Sequence, residues 1–70
     1  MKESIHNEVN TLRLAHGVTQ EVLASAVGVS RQTIIAIERG NYAPSILLAI
    51  KIAQYFKVRV EDVFTIRHGK

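Results

Sequence analysis

A chain of 70 residues, 47% hydrophobic, predicts one small domain over residues 1–70 with no room for a second. It has no cysteine, which excludes a disulfide scaffold and fits a reducing, cytoplasmic setting. A net charge of +3 with a pI near 9.7 suits a polyanionic partner, though modestly. No apolar run approaches the roughly 18 residues of a membrane span, and the polar start MKESIHNE lacks the apolar region of a signal peptide.

In chain order, the first helix is predicted from about Ser4 to His16. Ile5, Val9 and Leu12 recur at i, i+4 and i+7 as an amphipathic stripe. Arg13 borders that stripe, Leu14 lies opposite it, and Gly17 ends the helix. Thr19 is a good N-cap for a second helix opening at Gln20. Leu23, Ala24, Ala26 and Val27 form its buried side, and Ala24 is small enough for another helix to cross closely. Gly28 marks a turn that needs a left-handed residue. Val29 is apolar within that turn, which places it under the core. Ser30 caps a third helix from Arg31 to Arg39, ended by Gly40.

At about 100° per residue, Arg31, Gln32, Ile35, Ala36 and Arg39 share one arc of the third helix. Thr33, Ile34, Ile37 and Glu38 occupy the opposite arc. The second arc packs and the first is free. After the turn-like Asn41-Tyr42-Ala43-Pro44, Ser45 caps a fourth helix. Its expected buried face is Ile46, Leu48, Ala49, Ile50, Ile52, Ala53 and Phe56. A short fifth helix runs from about Val60 to Phe64, with Val60, Val63 and Phe64 inward. The tail Thr65 to Lys70 is expected to be irregular; the alternative is that Thr65-Ile66-Arg67 pairs as an edge strand with the amino terminus. The expected fold class is all-α, with five helices.

The free face of the third helix has the chemistry of base reading. Arg31 can donate two hydrogen bonds to guanine, and Gln32 can pair both ways with adenine. Both sit in the first turn, the part of a recognition helix that reaches deepest into the major groove. Ile35 suits a thymine methyl or a sugar edge, and Ala36 permits close approach. Arg39, at the far end, suits a phosphate. Glu38 faces the core, where a carboxylate needs a partner, and the fork of Arg13 matches it.

The whole stretch QEVLASAVGVSRQTIIAIER, residues 20–39, with its flanks, resembles the helix-turn-helix of the Cro and phage-repressor type, the XRE family. The likeness covers about Asn7 to Phe64 and includes GVSRQTIxxIERG and EDVF. It implies a lambda-repressor-like five-helix domain of the small stand-alone form found in bacteria and phages. It also implies sequence-specific binding to a DNA operator, usually as a two-fold dimer on a near-palindromic site. In such proteins the residues matching Arg13 and Glu38 commonly form a partly buried ion pair.

The candidate backbone contacts are Gln20, Thr33, Arg39, Asn41 and Tyr42. Gln20 lies at a helix N-terminus, which attracts phosphate oxygens. Many members carry Lys or Arg in the loop where this chain has Asn41, Tyr42 and Ala43, which weakens anchoring by charge there. The Tyr42 ring either meets a phosphate or packs against Pro44 and the fourth helix. Val60, Phe64 and Ile66 are the candidate dimer interface, unless they complete the monomer core.

Other chemistry is not supported. His6, His16 and His68 have no metal-ligand spacing, the four glycines form no phosphate loop, and no catalytic set can be assembled around the single Asp62. The expectation is a non-enzymatic regulator without metal or cofactor, most simply a repressor acting by occlusion. Two competitors are an antitoxin, which binds DNA and a toxin, and a protein–protein adaptor of the same fold. Any further signal would come through a regulatory protein partner.

Overall fold

The computed structural model describes residues 3–68. The elements are β1 (Glu3–Asn7), α1 (Val9–Ala15), α2 (Gln20–Val27), α3 (Arg31–Glu38), α4 (Ile46–Phe56), α5 (Val60–Val63) and β2 (Phe64–His68). Hydroxyls start three of the helices. Thr19 Oγ1 accepts from the Val22 N–H at 3.1 Å, Ser30 Oγ from Thr33 at 3.3 Å and Ser45 Oγ from Leu48 at 3.1 Å. Each bond satisfies a backbone donor that has no partner within its helix.

The first four helices end alike, in a left-handed residue whose successor bonds back five positions. The Val29 N–H donates to the Ala24 carbonyl at 2.9 Å around Gly28, at φ 78°. Gly17 and Gly40 take the same role at positive φ, whereas α4 uses Lys57 at φ 60°, with the Val58 N–H on the Ala53 carbonyl at 3.0 Å. These are Schellman closures, which glycine usually makes.

All five helices contribute to one core: Val9 from α1; Leu23, Ala24 and Val27 from α2; Ile34 and Ile37 from α3; Leu48, Ile52, Ala53 and Phe56 from α4; Val63 from α5. Val29 packs against it from the turn, as the sequence predicts. The buried faces are narrower than expected. Ala26 of α2 is exposed; on α4, Ile46 and Ile50 face solvent and Ala49 is half-buried, because that helix meets the core through Leu48, Ile52, Ala53 and Phe56.

The chain is helical with a small sheet, not all-α. β1 and β2 pair antiparallel with Ile5 opposite Ile66 and Asn7 opposite Phe64. Helix α1 therefore starts at Val9 rather than Ser4, and the tail is not irregular: Thr65-Ile66-Arg67 pair with the amino terminus, the alternative reading, in a strand through His68. Lys70 lies outside the described residues. The difference at the amino terminus has a physical source: a spacing of four, Ile5 to Val9, keeps two residues on one side of a helix and also on one side of a strand. The backbone groups of residues 3–7 bond to the distant residues 64–68, a pairing that no local periodicity reveals. The switch from strand to helix occurs at Asn7, whose Oδ1 accepts from the Val9 N–H at 3.1 Å. Next to it, the Glu8 N–H donates to the Val63 carbonyl at 2.8 Å.

Candidate nucleic-acid interface

Helix α3 turns Ile34 and Ile37 fully inward and leaves Arg31, Gln32 and Arg39 exposed on its other side. Ile35 and Ala36 are half-buried on the flank of that exposed face. Thr33 is also half-buried, with Oγ1 3.1 Å from the capping Ser30 Oγ. A shallow depression beside this face is lined by Asn10, Gln20, Arg31, Ile35, Glu38 and Arg39. Helix α2 opens into it through Gln20.

The depression is organised around the Glu38 carboxylate. Arg13 Nε donates to Glu38 Oε2 at 2.7 Å, and Arg13 Nη2 to Oε1 at 3.3 Å. Gln20 Nε2 and Asn10 Nδ2 donate to Oε1 at 3.1 and 3.2 Å. Arg13 also bonds the Val18 carbonyl at 2.9 Å. The side chains of Arg13 and Glu38 are only 10% and 7% exposed. Burial alone would raise the Glu38 pKa. The hydrogen bonds from Arg13, Gln20 and Asn10 outweigh it and hold the carboxyl below its ordinary value. Helices α1 and α2 are thereby both tied to α3 at one carboxylate.

Gln20 thus has a structural bond as well as its place at the helix start. One amide N–H and the carbonyl oxygen remain for another partner. Asn10 was not among the expected residues. Its signal was its position three before Arg13, on the same side of the helix. Asn7 was also missed: its Nδ2 donates to the Ile37 carbonyl at 2.8 Å.

Asn41 and Tyr42 follow α3 on the opposite flank. Tyr42 is 48% exposed and stands between two depressions. One is shared with Ile5, Pro44 and Phe64, the other with Thr33, Leu47 and Lys51. The three expected interface residues differ in burial. Val60 and Phe64 pack partly against the core, while Ile66 is 61% exposed beside Ile5. Among the described residues no helix is long and apolar enough to cross a membrane.

Comparison with known proteins agrees with this geometry. A family model described as Helix-turn-helix matches residues 9–63. An uncharacterized HTH-type transcriptional regulator of Methanocaldococcus jannaschii is 57% identical over 58 residues, covering 83% of this chain and 88% of that protein. The HTH-type transcriptional regulator YgzD of Bacillus subtilis is 53% identical over 58 residues, with the same coverage of each chain. Such relatives therefore occur in archaea as well as bacteria. Among solved structures, the restriction-modification controller protein C.AhdI of Aeromonas hydrophila superposes with a TM-score of 0.74 at 29% identity, over 79% of this chain and 83% of that one. The chain belongs to the helix-turn-helix family of XRE type, the family of these transcriptional regulators.

Proposed function

We propose that this protein regulates transcription by laying α3 in the major groove of a specific double-stranded DNA operator, most simply as a repressor that occludes the promoter. The observation that carries this reading is the division of α3 into a buried Ile34/Ile37 side and an exposed side bearing Arg31, Gln32 and Arg39. Arg31 and Gln32 read bases, with Ile35 and Ala36 in apolar contact beside them. Gln20, Thr33, Arg39, Asn41 and Tyr42 flank that surface and meet the phosphate backbone, with Gln20 using its remaining amide hydrogen. Two copies act together on a near-palindromic site. The exposed Ile66, with the partly exposed Val60 and Phe64, supplies apolar surface for a two-fold contact. The role is binding, not catalysis, and its setting is the cytoplasm, on the nucleoid.

The deciding experiment is selection of bound duplexes from a random pool. A consensus with two half-sites about one helical turn apart is the expected result. Recovery of no enriched sequence would refute operator recognition.

A further inference from the structure

The two ends of the recognition helix are held very differently. At its start, Arg31 and Gln32 are exposed, and the side-chain bonds there come from the Ser30 cap. At its end, Glu38 is held by Asn10 and Arg13 of α1 and by Gln20 of α2. One further bond arrives from outside the helices. Asn7, the last residue of β1, donates Nδ2 to the Ile37 carbonyl at 2.8 Å. That carbonyl also accepts the Gly40 N–H at 2.9 Å. It belongs to the last turn, where carbonyls lack intrahelical donors. The amide of Asn7 can point only one way, because its oxygen accepts from the Val9 N–H at 3.1 Å.

Asn7 therefore joins three elements, one through its backbone and two through its side-chain amide. It pairs with Phe64 in the sheet, caps the entry to α1 and clamps the exit of α3. We infer that Asn7 is a positioning residue for sequence reading, setting the tilt of α3 and so the placement of Arg31 and Gln32. This rests on the operator-binding reading above. The lever is geometric. From Ile37 to Arg31 is six residues, about 9 Å along the axis at ~1.5 Å per residue. A tilt of about 6° at the clamped end moves the reading end by about 1 Å. That shift exceeds the whole ~0.5 Å range of good N–H···O distances. A bidentate base contact is lost before the helix has visibly moved.

Two substitutions separate clamping from capping. Asn7→Asp keeps an acceptor for the Val9 N–H but removes the donor to Ile37. Asn7→Ala removes both and adds no charge. The probes are the duplex selected from the random pool by the wild-type protein and a shuffled duplex of the same composition. The readout is the ratio of the two affinities, measured below the urea transition of each variant, together with hydrogen exchange of the Gly40 and Asn41 amides. The ratio cancels most of the general repulsion that a new carboxylate adds. Asn7→Asp should remain cooperatively folded, lose about tenfold in the ratio, the scale of one forfeited bidentate contact, and exchange faster at Gly40 and Asn41. Asn7→Ala, where it folds, should lose a similar ratio. A wild-type ratio in Asn7→Asp would overturn the clamp and leave Asn7 a cap of α1. A wild-type protein that enriches no duplex would instead overturn the operator reading itself, and this inference with it.

Discussion

At the scale of single residues, reading and framing fall to different side chains. Arg31→Ala and Gln32→Ala should each weaken operator binding by about 1–3 kcal/mol and relax preference at one base pair. Neither should move the urea midpoint much, since both side chains are exposed. Gel-shift titrations on operator and shuffled DNA check this, and unchanged binding of both mutants to both duplexes would remove α3 from the reading role. Arg13 and Glu38 should behave oppositely. Removing either leaves a nearly buried partner uncompensated, at about 3 kcal/mol or more of stability. A cycle with Arg13→Ala, Glu38→Ala and the double mutant should show a coupling of about 1–3 kcal/mol; additive losses would mean the pair is energetically idle. The same carboxyl sets an acid limit. Its folded pKa lies below its ordinary value of 4.5. Its contribution is therefore full above the unfolded value and is lost as pH falls through the folded one. Urea midpoints of the wild type should drop more steeply than those of Glu38→Gln as pH is lowered from about 6 to about 3.

At the scale of elements, the helices were legible where capping chemistry and periodicity agree. Thr19, Ser30 and Ser45 each accept from a first-turn N–H. The opposed faces of α3 likewise follow from its local period, and so does the exposure of Arg31 and Gln32. What was only partly legible was non-local. The pairing of Thr65-Ile66-Arg67 with the amino terminus is one of two readings of the tail, but the β1–β2 ladder joins residues about 60 positions apart, and Ile5 fits either period, so residues 4–7 read as the start of α1. The same limit hid Asn7 and Asn10 from the site, because their partners, Ile37 and Glu38, lie across the fold. Lys57 is a different case. No local residue type announces a left-handed lysine, yet α4 ends on one at φ 60°. A side chain in that region costs about 1 kcal/mol, and glycine escapes the cost at some expense in unfolded-chain entropy. Lys57→Gly should therefore raise stability by about 0.5 kcal/mol, visible as a higher urea midpoint at unchanged slope. A lower midpoint would show that the Lys57 side chain contributes contacts worth more than the backbone strain.

At the scale of the molecule, the question is how a small domain gains enough affinity. A chain of this size buries only about 60% of its unfolded surface. One reading helix offers few contacts, so the proposed dimer links two half-sites and lets the second bind at high effective concentration. Ile66 is the cleanest probe, because it is 61% exposed while Phe64 and Val60 already pack on the core. Phe64→Asp would damage the monomer as well. Ile66→Asp should fold, because its position on β2 faces solvent, but should sediment as a monomer at micromolar concentration. A carboxylate in an apolar contact is strongly disfavoured. The variant should then lose most operator affinity while retaining its weak, salt-sensitive binding to any duplex. Salt gives an independent count of subunits. With Arg39 as the one cationic phosphate contact assigned to each subunit, a dimer should show a log–log slope of about −2 and the variant about half that, from roughly −0.9 per phosphate neutralised. A wild-type protein that sediments as a monomer and saturates its operator as a single copy would remove the dimer. The reading helix would then have to supply its specificity unaided, and the selected consensus would shrink to one half-site.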